Sequence, residues 1–373
     1  MNAMEGYEQL RLGIETLIGR DIRLPIEDDE FERLALRVFR HQFNNNEPYR
    51  RYCERRDRTP DSVQGWSDVP AVPTAAFKEA PLICGDPAEA EIVFRTSGTS
   101  QGPERRGQHY VRDLRLYETS ALKNFQAHVL PDGARLRMII LALPDGLAPD
   151  SSLTWMLEKV RVHFGANGSD FFIDQAGLRL ESLLAELAAS ETGERPLVLL
   201  GTAAGFLHLL EALKQRNRLL SLPPGSRLME TGGFKGQGRE IPRDEFYEML
   251  GVQLGLSQFY CVAEYGMTEM CSQFYDNVLR ERALGRSPEQ RYKVVPPWVR
   301  TQVVDAESLE ELPAGQLGVL RHFDLANLDS VMAIQTDDLG ITGADGFEIL
   351  GRAAGSELRG CSIAMDQWLT AQR

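Results

Sequence analysis

Apolar and polar positions change period along this chain, and the changes mark its elements. Over residues 28–43, DDEFERLALRVFRHQF, the residues Phe31, Leu34, Leu36, Val38 and Phe39 recur near helical spacing, and Asp28 or Asp29 is placed to cap the start. NNNEPYRRYCERRDRTP is polar and reads as solvent-facing helix and loop. VPAVPTAAFK, 69–78, holds two prolines and reads as an extended connection. EIVFRTSGTSQGPERRG then gives a short apolar strand, a loop and a charged tip. From residue 111 helices and strands alternate. Residues 111–129 read as helix, RLRMIILALP as buried strand, and SSLTWMLEKVRVHFG and LRLESLLAELAAS as helices. PLVLLGT reads as strand, AGFLHLLEALKQRN as helix, SRLMETGG as strand, and the stretch after Pro242 as helix. This texture predicts an α/β fold with a largely parallel sheet flanked by helices. Beyond residue 298 the segments WVRTQVVD, LGVLRHFD, VMAIQTDD and FEILGR are short, β-rich and separated by turn residues. The expected division is an α/β core over 1–297 and a small β-rich subdomain over 298–373.

A chain of 373 residues is too long for one ordinary core, which agrees with two domains. Its net charge of −13 argues against nucleic acid or anionic lipid as a partner, though not against a local basic pocket. No apolar run approaches eighteen residues, so no membrane span is expected, and the N-terminus lacks the apolar core of a secretory signal. Five scattered cysteines without a CxxC pair fit neither a disulfide framework nor a structural zinc site, so a cytoplasmic setting is expected.

Candidate chemistry collects at glycine-rich strand ends. TSGTSQG, 96–102, lacks the lysine of a Walker A loop, and a Ser/Thr/Gly loop after a strand is by itself often an ordinary turn. As an anion site, its glycines would let backbone amides approach phosphate while its hydroxyls donate hydrogen bonds. METGGFKGQGRE follows another strand with Gly232 and Gly233. EYGMTE presents Tyr265, Thr268 and Glu269 together, IQTDDLGIT ends a strand with two carboxylates, and Arg352 stands at the tip of the last hairpin. Several strand-terminal loops with different polar groups are the pattern of a ligand crevice.

TSGTS, YGMTE, TDDLG and GR, in this order, resemble the core motifs of the acyl-adenylate-forming ligase superfamily. VPTAAFK, FRTSGTS, SSLTWML, LLGTAAGF, METGGFKG and ELRGCS resemble, more closely, the acyl-protein synthetases of bacterial bioluminescence, the long-chain fatty acid–luciferin-component ligases. The resemblance implies that 1–297 is an adenylate-forming domain using ATP and Mg²⁺. It places Thr96, Ser97, Gly98 and Thr99 on phosphate, Gly232 and Gly233 beside adenine, and Tyr265 and Gly266 at the base. Thr268 falls on the α-phosphate, Glu269 on Mg²⁺, Asp338 on ribose, and Arg352 on the nucleotide. The usual lysine near the phosphate loop is missing, and Arg105 or Arg106 is the candidate cation in its place.

The reaction implied is activation of a carboxylic acid, a fatty acid above all, as acyl adenylate, which asks the protein for positioning and charge neutralisation. The sequence ends at Arg373, twenty-one positions after Arg352, so the swivelling domain with a catalytic lysine that most of the superfamily carries is not expected. The resemblance instead makes Cys361 the acyl acceptor, holding a thioester before delivery to a partner such as a reductase or carrier protein. The other reading of Cys361 is a small buried residue on a terminal strand. Two further readings stay open: an aryl- or acyl-carboxylate adenylating enzyme delivering to an amine, a carrier protein or coenzyme A, and a non-catalytic nucleotide-binding protein. Lys78 and Lys235 read as solvated lysines or as reaching phosphate, His109 as a surface residue or one approaching nucleotide or substrate, His208 as packed or half-buried, and Trp155, Met156 and Phe206 as either acyl-pocket wall or helix core.

Overall fold

The computed structural model describes residues 3–96, 106–191, 193, 195–232, 235–236, 239–288, 290–344, 346–353, 368–370 and 372. Ser97, Gly98, Thr99, Gly233 and Cys361 lie outside the described residues. The chain forms two compact units that interleave in sequence. One is built from Met1–Lys123, Met267–Gln273 and Tyr292–Arg373, the other from Asn124–Gly266 and Phe274–Arg291.

The second unit carries the parallel sheet. Strand Leu197–Thr202 pairs in parallel with Arg137–Leu141 on one side and Arg227–Thr231 on the other, and Arg227–Thr231 pairs in parallel with Cys261–Tyr265. Phe274–Asp276 closes antiparallel on Cys261–Tyr265. Residues 197–201 and 227–231 are buried throughout, as expected of strands covered on both faces. The apolar stripes of Leu180–Glu191, Ala203–Gln215 and Arg243–Leu254 supply that cover, with Leu183, Leu187, Phe206, Leu210, Phe246 and Leu250 in one core with Ile139, Leu199 and Leu228. Thr202 ends its strand and caps the next helix, its hydroxyl accepting from Gly205 N at 3.1 Å. Gly201 is required by close approach, since a Cβ there would meet the Leu141 carbonyl oxygen at 2.7 Å. Trp155, Met156 and Phe206 are buried, and His208 is exposed rather than packed.

The first unit is built on antiparallel strands Val299–Val304, Gly318–Asp324, Ala333–Thr342 and Phe347–Arg352, paired in that order. Val72–Pro73 adds in parallel against Ile334–Gln335, so the proline-bearing stretch is a two-residue strand followed by a short 3-10 turn, Thr74–Lys78. Helix Asp28–Asn45 buries Phe31, Leu34, Val38 and Phe39, while Asp28 and Asp29 sit in its first turn beyond an N-cap at Glu27. The polar stretch after it is only half solvent-facing: helix Glu47–Glu54 buries Tyr49, Tyr52 and Cys53.

Those helices hold one turn of the sheet, residues 325–332. Gln42 donates to the carbonyls of Asn327 at 2.8 Å and Leu328 at 3.1 Å and accepts from Met332 N at 3.0 Å, all buried. Asn46 donates to Ser330 O at 3.2 Å, and Cys84 N donates to Asp329 O at 2.7 Å. An unsatisfied buried backbone group costs about 1–3 kcal/mol. Gln42→Leu orphans Asn327 O and Met332 N and leaves Leu328 O only the Cys84 thiol at 3.8 Å, and should lower the unfolding free energy by about 2–4 kcal/mol in urea titration. A loss below about 0.5 kcal/mol, the usual range of a surface change, would contradict this role.

Candidate active site

Within the first unit the structure brings together Glu269, Asp338 and Arg352. Asp338 and Arg352 are cross-strand partners, and Arg352 Nε donates to Asp338 Oδ1 at 3.0 Å. The strand runs on through both carboxylates to Thr342, so Arg352 stands at the open end of the hairpin, not at its tip. Thr336 Oγ1 accepts from Asp338 N at 3.1 Å and donates to Leu320 O at 2.7 Å, fixing the backbone beneath the carboxylates.

Glu269 is 8% exposed. Burial pushes its carboxyl from 4.5 up to about 7, and Asp338 adds to the rise, against its own backbone amide and the charges of Arg352 and Lys78. Asp337 is also raised, by burial first and then by Asp338, with Arg352 and Lys78 opposing. Lys78 is exposed and its ammonium acts on both carboxylates, so the 3-10 turn Thr74–Lys78 brings a cation to this cluster. The sequence offers Lys78 as a lysine within reach of phosphate but does not separate that from a solvated one, because a surface lysine has no periodic signature.

Thr96 closes the neck of a hairpin formed by Ile92–Arg95 and Gln108–Val111. Its N–H donates to Gly107 O at 3.0 Å and its hydroxyl accepts from Gly107 N at 2.9 Å. A Cβ on Gly107 would meet Thr96 Cγ2 at 3.0 Å, so the neck admits little else. The Arg106 guanidinium grips the carbonyls of Thr96 and, at 3.1 Å, Arg95. It therefore braces the neck of the hairpin; Arg105, the other candidate cation, lies outside the described residues.

The stretch Thr268–Ser272 is anchored by side chains far away in sequence. His109, expected at the surface, is buried: the alternation of Gln108–Val111 turns His109 and Val111 inward. Its Nδ1 lies 2.7 Å from Thr268 O and its Nε2 3.0 Å from Asn327 Oδ1. Burial lowers the His109 pKa to about 4, leaving the ring neutral near pH 7 with one N–H to donate. Asn327 Nδ2 donates to Glu269 O at 2.9 Å and Val331 O at 2.8 Å. Asp324 accepts from Cys271 N at 3.0 Å and Ser272 Oγ at 2.8 Å, and burial raises its carboxyl to about 6 against those bonds.

The remaining nucleotide candidates belong to the second unit. Gly232 follows strand Arg227–Thr231 with φ +85°, a conformation that favours glycine, and among the described residues nothing lies within 4 Å of where a side chain would project. Tyr265 is half-buried with its ring stacked on Phe274 at 5.8 Å, and Gly266 is exposed. Below them Thr231 Oγ1 donates to the buried Glu264 carboxylate.

The sequence matches the family described as "Acyl-protein synthetase, LuxE" over residues 22–370. The chain belongs to that family. A long-chain-fatty-acid–luciferin-component ligase of Vibrio harveyi is 24% identical over 352 residues, 91% of this chain and 88% of the relative. That of Aliivibrio fischeri is 24% identical over 320 residues, 83% of this chain and 78% of the relative. A 2-hydroxyisobutyryl-CoA ligase solved in its postadenylation state with R3-HIB-AMP superposes with TM-score 0.59 at 16% identity, over 89% of this chain and 73% of that one. The fold is therefore that of the adenylate-forming ligases, and this LuxE-family protein is an acid-activating ligase. Among the described residues no helix is long and apolar enough to cross a membrane.

Whether Glu269 suits a divalent cation follows from its surroundings. Among the described residues its carboxylate gains one hydrogen bond, from its own amide, and no direct ion pair, so most of its lone pairs face no donor. Magnesium is commonly held by one or two carboxylates together with substrate phosphates and water, and this carboxylate fits that role. With its carboxyl titrating near 7 in the fold and near 4.5 unfolded, the stability the acid form contributes is fully present below about pH 4.5 and lost as pH rises through about 7. Glu269→Gln should thus exceed the wild type in unfolding free energy near pH 8 by on the order of 1–3 kcal/mol, measured in urea without divalent cation. The difference should close on acidification to about pH 4.5. A variant less stable than wild type near pH 8 would contradict an uncompensated charge at this position.

Proposed function

We propose that the protein activates a fatty acid with ATP and Mg²⁺, passes the acyl group to Cys361, and delivers it from there to a partner protein such as a reductase. In the first step a carboxylate oxygen of the acid attacks the α-phosphorus of ATP. The bond to the β-phosphate breaks, and pyrophosphate leaves as the acyl adenylate forms. Thr268 would donate to the α-phosphate, Asp338 would accept from the ribose hydroxyls, and Arg352 would neutralise phosphate charge. Gly232, Gly233, Tyr265 and Gly266 are the residues for the base, and Thr96, Ser97, Gly98 and Thr99 for the outgoing phosphates. Glu269, with phosphate oxygens, would hold the cation, whose chemistry is to neutralise charge on the phosphates. Lys78 acts on these carboxylates after Arg352 and would offset phosphate charge in place of the missing loop lysine.

In the second step the Cys361 thiolate attacks the acyl carbonyl carbon, the bond to the phosphate oxygen breaks, and AMP leaves; the thiol proton passes to solvent. The observation that carries the adenylation reading is the buried Glu269 carboxylate, directly after Thr268 and grouped with Asp338 and Arg352. Fatty acid as substrate and a protein as destination are supported by the names of the family and of the luciferin-component ligases of Vibrio harveyi and Aliivibrio fischeri.

Exchange of labelled pyrophosphate into ATP, screened over short, long and aromatic acids, should rise with aliphatic chain length, and Asp338→Ala should lower it by about 10- to 1000-fold. Exchange with aromatic acids alone would replace fatty acid by aryl carboxylate. Intact mass after incubation with acid and ATP should show one acyl group that resists neutral buffer and yields to hydroxylamine, absent in Cys361→Ser. A Cys361→Ser protein that still carries the acyl group would remove the cysteine step.

A further inference from the structure

Thr268 and Glu269 stand on a turn that follows strand Cys261–Tyr265, outside any strand or helix of their own. Residues on such turns are placed only as well as the groups behind them are fixed, and a misplacement of about 1 Å can cost 100-fold in rate. Here the groups behind them are side chains. The Thr268 carbonyl faces His109 Nδ1 at 2.7 Å, and the Glu269 carbonyl accepts from Asn327 Nδ2 at 2.9 Å. The single N–H of the neutral ring goes to Thr268, so the approach of His109 Nε2 to the Asn327 amide oxygen at 3.0 Å is a contact and not a second hydrogen bond; the Cys271 thiol donates to that oxygen at 3.7 Å.

Asn327 has one orientation that suits its two carbonyl partners and the Cys271 thiol. Its amide nitrogen faces two carbonyls, Glu269 O and Val331 O, which only a donor suits. Its oxygen is left to accept from the Cys271 thiol. The amide is held from behind, since its own backbone carbonyl accepts from Gln42 and its backbone N–H donates to Asp324 O at 3.1 Å. His109 is 1% exposed and Asn327 also 1%, so neither reaches bulk water. The Phe77 ring packs edge-on against His109 at 5.9 Å.

We propose that His109 and Asn327 form a buried clamp that sets the position of Thr268 and Glu269 for acid activation, acting as positioning residues through the two successive backbone carbonyls. The proposal rests on the adenylation reading above and adds to it which groups aim the threonine and the glutamate. Each clamp atom acts on main chain, so Thr268 and Glu269 side chains remain available to substrate.

The test is pyrophosphate exchange on His109→Leu, His109→Asn, Asn327→Ala and the double variant His109→Leu/Asn327→Ala, each assayed well below its own unfolding temperature. The amide nitrogen of an asparagine at 109 falls where Nδ1 stands in histidine, so His109→Asn keeps the donor to Thr268. His109→Leu and Asn327→Ala should each lower kcat by about 10- to 100-fold with KM for the acid within about twofold. His109→Asn should recover most of the loss, and the double variant should be little worse than its worse single member because both act on one turn. Leu187→Ala, in the core of the other unit, separates positioning from plain destabilisation: it should unfold at lower temperature while keeping kcat per folded molecule.

Exchange by His109→Leu and Asn327→Ala equal to wild type would overturn the clamp. So would losses that His109→Asn does not rescue, or that Leu187→Ala reproduces. Wild-type protein without exchange on any acid is a different outcome: it would overturn the adenylation reading, and the clamp's part in catalysis with it.

Discussion

Everything near the proposed reacting centre depends on a buried polar turn that was never free to be apolar. Asp324 and Asn327, at the end of strand Gly318–Asp324 and just past it, hold Glu269, Cys271 and Ser272 by four hydrogen bonds. Trp298 Nε1 and Ser120 extend the same set, both meeting the Ser272 hydroxyl at 3.0 and 3.1 Å. With its hydrogen directed at Asp324, Ser272 accepts from both. In a low-dielectric interior each bond is strengthened, and each missing partner is costly, so such a network has one good arrangement. This explains how a seven-residue piece, Met267–Gln273, packs with one unit while the chain on either side of it packs with the other.

The acidic cluster has the opposite character. Glu269 and Asp337 are raised by burial and by a neighbouring carboxylate, without enough donors around them to offset the desolvation. A fold selected for stability alone would replace Glu269 by an apolar or amide side chain. Retaining an uncompensated carboxylate beside a firmly anchored turn is the pattern of a site whose missing partner arrives with substrate. Rigid support and electrostatic discomfort are adjacent here, one residue apart in the sequence.

Much of this was legible in the chain. The alternation from residue 111 onward located the strands and helices of the parallel sheet, because fully buried strands and one-faced helices leave distinct apolar periods. The order of TSGTS, YGMTE, TDDLG and GR carries the adenylate-forming resemblance, and VPTAAFK, SSLTWML, LLGTAAGF, METGGFKG and ELRGCS carry that to the acyl-protein synthetase family the chain belongs to. What stayed hidden was contact at long range. His109 meets Thr268 over 159 positions and Gln42 meets Asn327 over 285, and nothing local distinguishes such residues from solvated ones. The stretch NNNEPYRRYCERRDRTP looked solvent-facing because arginines and glutamates outnumber the residues that decide its packing, Tyr49, Tyr52 and Cys53. Their hydroxyls show why aromatic residues suit this place: Tyr49 and Tyr52 each reach a backbone carbonyl, Pro70 and Ala71, at 2.9 Å. Arg106, a candidate cation in the sequence, braces main-chain carbonyls, a contact that no local pattern signals.

The central claim is that the anchored turn presents Thr268 and Glu269 to an acyl adenylate. A crystal structure with a non-hydrolysable fatty acyl sulfamoyl adenosine tests it most directly. The account predicts the sulfamoyl group against Thr268, the ribose hydroxyls on Asp338, and Thr268–Ser272 in the hydrogen bonds described above. A ligand bound elsewhere, or a turn released from Asn327 and Asp324 when the ligand binds, would contradict it.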